Sequence, residues 1–108
     1  MRGNIIVDGV YGKTQQVTVT DAVQLMSDVV TFGDNPPIGL IITSEDNPTR
    51  YAFRVDPSAT FGHVLAKDQT LRLYDGFAAK NMRIINDTAQ SAAVLMVTPI
   101  YEIGKYSE

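Results

Sequence analysis

Two short segments restrict the fold of this chain more than anything else in it. In QQVTVT, residues 15–20, Val17 and Val19 alternate with Gln16, Thr18 and Thr20. In RYAFRV, residues 50–55, Tyr51, Phe53 and Val55 alternate with Arg50, Ala52 and Arg54. A period of two sets each group on one face of an extended strand, and the β-branched and aromatic content suits a pleated, half-buried surface. TLRLY repeats the pattern, with Leu71 and Leu73 inward against Thr70, Arg72 and Tyr74, and NMRII sets Met82 and Ile84 on one face. IGLIIT differs, because Ile38, Leu40 and Ile42 share a face while Ile41 lies on the other, as in a central strand covered on both sides.

Turn-forming residues cluster between these segments, in GDNPP (33–37), EDNPT (45–49), DPSA (56–59), YDG (74–76) and NDTAQ (86–90). Pro36, Pro37, Pro48 and Pro57 therefore fall where no ladder donor is needed. TDAVQLMSDVV, from Thr20, is ambiguous. Ala22, Leu25, Met26, Val29 and Val30 have helical spacing with Thr20 as N-cap, whereas Val17, Val19, Val23 and Leu25 share strand parity. We read a bent strand, with a helix as the alternative. Short strands at this spacing, without intervening long helices, predict an all-β fold, a single-domain antiparallel β-sandwich or jelly roll of about seven or eight strands. The 108 residues suit one domain over 1–108, with 1–14 as an N-terminal arm or strand and 102–108 as a C-terminal tail.

The last strand, SAAVLMVTPIYE, is apolar on both faces, with Val94 and Met96 on one and Leu95, Val97 and Tyr101 on the other. Either it is a central strand or one face meets another subunit; Leu95, Val97 and Tyr101 are the candidate interface residues.

Composition argues against several functions. Nine Lys and Arg against twelve Asp and Glu give a net charge of -3, with no basic footprint for nucleic acid or an anionic membrane. The absence of cysteine excludes disulfides, thiolate metal sites and cysteine nucleophiles, and leaves assembly in a reducing cytosol unhindered. No apolar run approaches the roughly 20 residues of a membrane span, and MRGNIIVDG lacks the apolar segment of a secretory signal.

His63 is the single histidine, too few for the clustered ligands of a catalytic jelly-roll metal centre. Ser58, His63 and Asp68 form a nominal triad, but no G-x-S-x-G elbow accompanies them. DGVYGK, GDNPP and EDNPT offer loop oxygens without EF-hand spacing, and no phosphate-binding glycine loop is present. The reading is therefore a protein without catalytic residues, cofactor or metal, in which His63 flanks a turn.

Gly62, His63, Leu65, Asp68, Leu71 and Leu73 are matched to a G-H-x-L-x-x-x-D/E-x-L-x-L step, with Asp68 one place before the acidic position, followed by Ala79, Asn81, Met82, Arg83, Ile84 and Ile85 in AAKNMRII and by the apolar last strand. This order resembles small phage-encoded β proteins of the virion, including head decoration or cement proteins with sandwich or jelly-roll folds. AKDQ departs from the pattern, since a glycine before the acidic residue is more usual. The resemblance implies a non-enzymatic structural protein at the virion surface, assembled in the host cytoplasm. It also implies that the protein binds the major capsid protein as a homo-oligomer, with a trimer favoured. The alternative reading is a carbohydrate-binding module of a head fibre or tail, with exposed tyrosines such as Tyr74 and Tyr106 stacking on sugars.

Overall fold

The computed structural model describes residues 9–32, 36–86 and 92–102. In chain order the elements are β1 (Gly9–Tyr11), β2 (Gln15–Val19), β3 (Gln24–Leu25), α1 (Met26–Val29), β4 (Gly39–Ser44) and β5 (Thr49–Phe53). They continue with β6 (His63–Leu65), β7 (Thr70–Leu73), α2 (Gly76–Lys80), β8 (Met82–Asn86) and β9 (Ala93–Glu102). One sheet, A, has the order β1-β9-β4-β7, with β2 also paired to β9; the other, B, has the order β3-β8-β5-β6. All pairings are antiparallel. The expected all-β sandwich is therefore what the chain forms. Nine strands are described rather than seven or eight because β1 and β3, of 3 and 2 residues, are too short to announce themselves by alternation.

β9 organises sheet A. One edge pairs with β4 along six residues, and the other meets β2 and then β1. Pro99 stands inside this central strand, where a proline should cost a ladder bond. Its carbonyl accepts from the Gly12 N–H at 2.8 Å, so its backbone groups turn toward β1 and β2. The missing donor therefore faces residues 12–14, the gap between the two short strands, and no bond to β4 is lost.

The core lies between the sheets. Val17, Val19, Leu40, Ile42, Leu95 and Val97 descend from sheet A onto Leu65, Met82 and Ile84 of sheet B, with Met26 and Val30 from the α1 segment. Leu95 and Val97 are 0 % exposed and Tyr101 is 2 % exposed. These three candidate interface residues are thus covered by the protomer itself and unavailable to a neighbouring subunit; the central-strand alternative describes β9 correctly. The outward face of the same strand carries Val94, Met96 and Thr98, each half-buried.

Three other expectations need correction. RYAFRV ends as a strand at Phe53 because Arg54 enters the left-handed region at φ 68, which breaks the alternation and leaves Val55 51 % exposed. Ala52, expected outward, is buried, because a methyl group between two paired strands beside Arg83 does not reach solvent. The ambiguous stretch uses both periods in turn, as Gln24–Leu25 pair with β8 before a single helical turn buries Met26.

Candidate binding surface

β2 and β3 lie along one side of the sandwich and β6 and β7 along the other, each pair being consecutive in the chain and on edges of opposite sheets. The two sides are finished differently. On the first, Val17, Val19, Met26 and Val30 are buried. From β2, the Gln15 side chain ties down the segment after α1, donating to the Thr31 carbonyl at 2.6 Å and accepting from the Thr31 N–H at 2.8 Å. Gln24 accepts from the Thr20 N–H at 3.0 Å and donates to the Thr18 carbonyl at 3.4 Å. Gln24 thus satisfies backbone groups at the end of β2 that its edge would otherwise expose, while Gln15 satisfies those of Thr31 beyond α1. The backbone joins in where Asn86 N–H donates to the Thr20 carbonyl at 3.0 Å.

The second side is open. Leu71 and Leu73 on β7, and Tyr51 and Phe53 on β5, point between the sheets yet stay half-buried. Alternation along β7 turns the backbone groups of Leu71 and Leu73 to β4 and those of Thr70 and Arg72 to the free edge. Tyr51 meets Phe53 edge to face at 5.9 Å, and on its other side the His63 ring at 5.2 Å with an interplanar angle of 33°. Partial burial raises the Tyr51 phenol above the ordinary tyrosine range by desolvating its charged form. On the outer flank of β6, Phe61 and Val64 are exposed at 55 % and 45 %.

The residues matched to the G-H-x-L-x-x-x-D/E-x-L-x-L step build this open side. Gly62 has φ 120, and a Cβ there would lie 2.9 Å from the Tyr51 carbonyl oxygen, so the position requires glycine. His63 begins β6 opposite Tyr51 and Leu65 fills the core opposite Thr49. Asp68 adopts φ 66, a conformation that Asp tolerates, so the turn forms without the glycine whose absence from AKDQ stood out in the sequence. The crossover is then fastened to β4: Asp68 N–H donates to the Ser44 carbonyl at 2.7 Å, and Ser44 N–H donates to the Gln69 carbonyl at 3.0 Å. Gln69 also closes the turn, accepting from the Ala66 N–H through Oε1 at 2.8 Å and donating its own N–H to the Ala66 carbonyl at 3.0 Å.

The second half of the pattern is structural. Asn81 caps α2 by donating to the Phe77 carbonyl through its backbone N–H at 3.1 Å and its Nδ2 at 2.7 Å. Arg83 reaches Asp56 at 3.2 Å in an exposed ion pair of small energetic value. Ala79, Met82 and Ile84 are core.

Ser58, His63 and Asp68 are not brought together. The Ser58 hydroxyl turns to Thr60, Asp68 belongs to the crossover, and His63 packs on Tyr51 at the other end of β6. His63 is therefore the first residue of β6, flanking the turn that ends at Gly62. Among the described residues no group of three or more His, Cys, Asp or Glu is placed to hold a metal ion, and no helix is long and apolar enough to cross a membrane.

Each sheet also has an outward face. On sheet B it pairs Arg50 with Val64 and Ile85, and Arg83 with Ala52 and Leu25. On sheet A one transverse row is Gln16, Met96, Thr43 and Thr70. The next is Thr14, Thr98, Ile41 and Arg72. Thr14 and Thr98 share a hydrogen bond of 2.6 Å between hydroxyls, and Thr43 and Thr70 one of 3.0 Å. Sequence reasoning passed over this face because it weighed the inward residues of β9; the signal was a threonine at an outward position of each of β2, β4, β7 and β9, namely Thr18, Thr43, Thr70 and Thr98.

No protein-family model, curated protein or solved structure matches this chain.

Proposed function

We propose that this chain is a non-catalytic binding protein that decorates or cements a phage head, with its open β6–β7 side against the major capsid protein. The observation that carries the reading is the coincidence of two independent features. The segment that resembles virion accessory proteins includes β6, the crossover and β7, and these strands carry the free edges, with half-buried Leu71 and Leu73 on β7 and half-buried Tyr51 and Phe53 on the neighbouring β5. A free strand edge offers backbone hydrogen bonds to an extended segment, and side chains such as Phe61 and Val64 beside it add apolar area. Decoration needs no catalytic group, because weak contacts repeated over a shell add through avidity.

Co-sedimentation with expanded capsid shells of the same phage tests this. Wild-type protein is expected to pellet with the shells in saturable fashion, and Phe61→Ser with Val64→Asp to reduce binding at least tenfold while the fold is kept. Absence of binding to expanded shells contradicts the reading.

A glycan-binding reading draws on a different observation, the exposure of Tyr11 and Tyr74 at 55 % and 41 %; Tyr106 lies outside the described residues. Binding on a glycan array that Tyr74→Ala abolishes favours it over decoration.

A further inference from the structure

We infer that the end of the sandwich where α2 lies is a docking surface for a protein segment in which carboxylates flank a large apolar side chain. Among the described residues eight large apolar side chains are exposed. Five of them, Ile38, Val55, Phe61, Tyr74 and Phe77, stand in the loops before β4, after β5 and around α2. These loops touch: the Arg54 guanidinium lies 5.8 Å from the centre of the Phe77 ring, and Gly76 packs so closely on the Pro37 carbonyl and Ile38 that no side chain fits there. Apolar groups scattered singly over a surface are ordinary, whereas a gathered set marks an interaction site. Phe77, at 65 %, is its most exposed member.

The charges around the patch indicate what covers it. The described carboxylates of these loops are already engaged: Asp75 accepts from the Phe77 N–H at 3.0 Å, and Asp56 pairs with Arg83 at 3.2 Å. The cations are not, since Arg54 and Lys80 meet no carboxylate among the described residues. Asp28 and Glu102 lie outside these loops, on α1 and β9. An apolar patch whose uncommitted charges are positive complements an apolar side chain with carboxylates beside it.

Arg54 is also placed in advance. Its backbone is left-handed, at φ 68, and its guanidinium sits over the Phe77 ring. A guanidinium stacked on a ring keeps its in-plane N–H donors for a carboxylate, while Phe77 and Val55 receive the apolar group. Arginine and aromatic residues are common anchors of protein interfaces. Two cations fall short of the clusters of roughly four to eight that recruit a protein to an anionic bilayer, so the partner is a protein. Phe61 joins this end to the β6–β7 side, but a peptide titration needs no capsid shells, so either reading can fail alone.

NMR titration with acetyl-Asp-Phe-Asp-amide and its Ser-Phe-Ser and Lys-Phe-Lys counterparts, from about 0.1 to about 10 mM, covers weak binding. The Arg54, Val55 and Phe77 amide signals are expected to shift together. The acidic peptide is expected to bind about threefold more tightly than the neutral one, as an exposed ion pair allows, and the basic one most weakly. Arg54→Gly keeps a left-handed turn that glycine adopts freely, and is expected to erase the acidic preference. Phe77→Ser is expected to abolish the shifts with all three peptides, and Lys67→Ser, at the opposite end, to leave them unchanged. Absence of binding, equal binding of the three peptides, or shifts centred elsewhere overturns the inference. So does flotation of the protein with phosphatidylcholine vesicles containing about 30 % phosphatidylglycerol, if Arg54→Gly abolishes it, because this end is then a membrane contact.

Discussion

The two long sides of the sandwich solve the same problem in opposite ways. Both are made by consecutive strands that leave one sheet for the other, and both end in strand edges. At β2–β3 the chain closes the gap with one helical turn that Gln15 ties down at Thr31, and Gln24 satisfies the backbone of Thr18 and Thr20 at the end of β2. At β6–β7 a four-residue crossover does no more than fasten the turn to β4, and Tyr51, Phe53, Leu71 and Leu73 remain half-buried. An exposed edge is a liability that proteins ordinarily manage, and among the described residues no side-chain amide covers the edge of β6 or β7 as Gln24 covers the end of β2. Under the proposed function, β2–β3 is the side of stability and β6–β7 the side of recognition.

Substitutions sharpen the contrast, beginning with the most damaging. Val97→Asp is expected to abolish folding rather than to dissociate an oligomer, since it strands a carboxylate in the core at a cost of more than about 4 kcal/mol against a domain stability of about 5 to 15 kcal/mol. Circular dichroism of the soluble fraction checks this, and a folded monomeric variant contradicts the placement of Val97. Leu95→Ala is expected to cost about 3 to 4 kcal/mol, and Leu71→Ala on the open side about 1 to 2 kcal/mol, read from urea midpoints at unchanged slope. Equal losses would erase the distinction between a closed and an open side.

Gln15→Ala removes both bonds to Thr31 and is expected to cost about 1 kcal/mol and to speed hydrogen exchange of the Thr31 amide. His63→Ala, which removes a ring from an exposed edge, is expected to change stability by less than about 0.5 kcal/mol in the same urea measurement. Alkaline pH probes Tyr51. Because its folded-state pKa is raised, its contribution is fully present below the ordinary tyrosine pKa of about 10 and is lost as pH rises through the folded value. Thermal midpoints are therefore expected to fall above about pH 10, and to fall less in Tyr51→Phe.

Much of the fold was legible because alternation is a local signal. Val17 and Val19, Leu71 and Leu73, and Met82 and Ile84 all point inward as their parity implies. The β5 strand was overrun because the left-handed turn at Arg54 has no signature in an arginine. The β3–α1 stretch resisted assignment because both periods are present and each governs part of it. Parity in β9 showed which residues share a face but not which face the chain covers for itself, and that cost the interface assignment of Leu95, Val97 and Tyr101.

For the binding side, the residues of the crossover were legible but its openness was not. Gly62 and Asp68 announce a turn locally, whereas the half-burial of Tyr51 and Leu71 depends on packing between strands far apart in the chain. The contact that ties Thr31 to β2 was equally hidden, since Gln15 meets its partner 16 residues away.

The most direct test of the recognition side is hydrogen exchange of the protein free and bound to expanded capsid shells. In the free protein the Thr70 and Arg72 amides are expected to exchange much faster than those of Leu71 and Leu73. On binding, protection is expected to rise at Thr70, Arg72 and along His63–Leu65, and to stay unchanged along Gln15–Val19. Protection gained at β2 instead, or binding that leaves both β6 and β7 unprotected, contradicts the account.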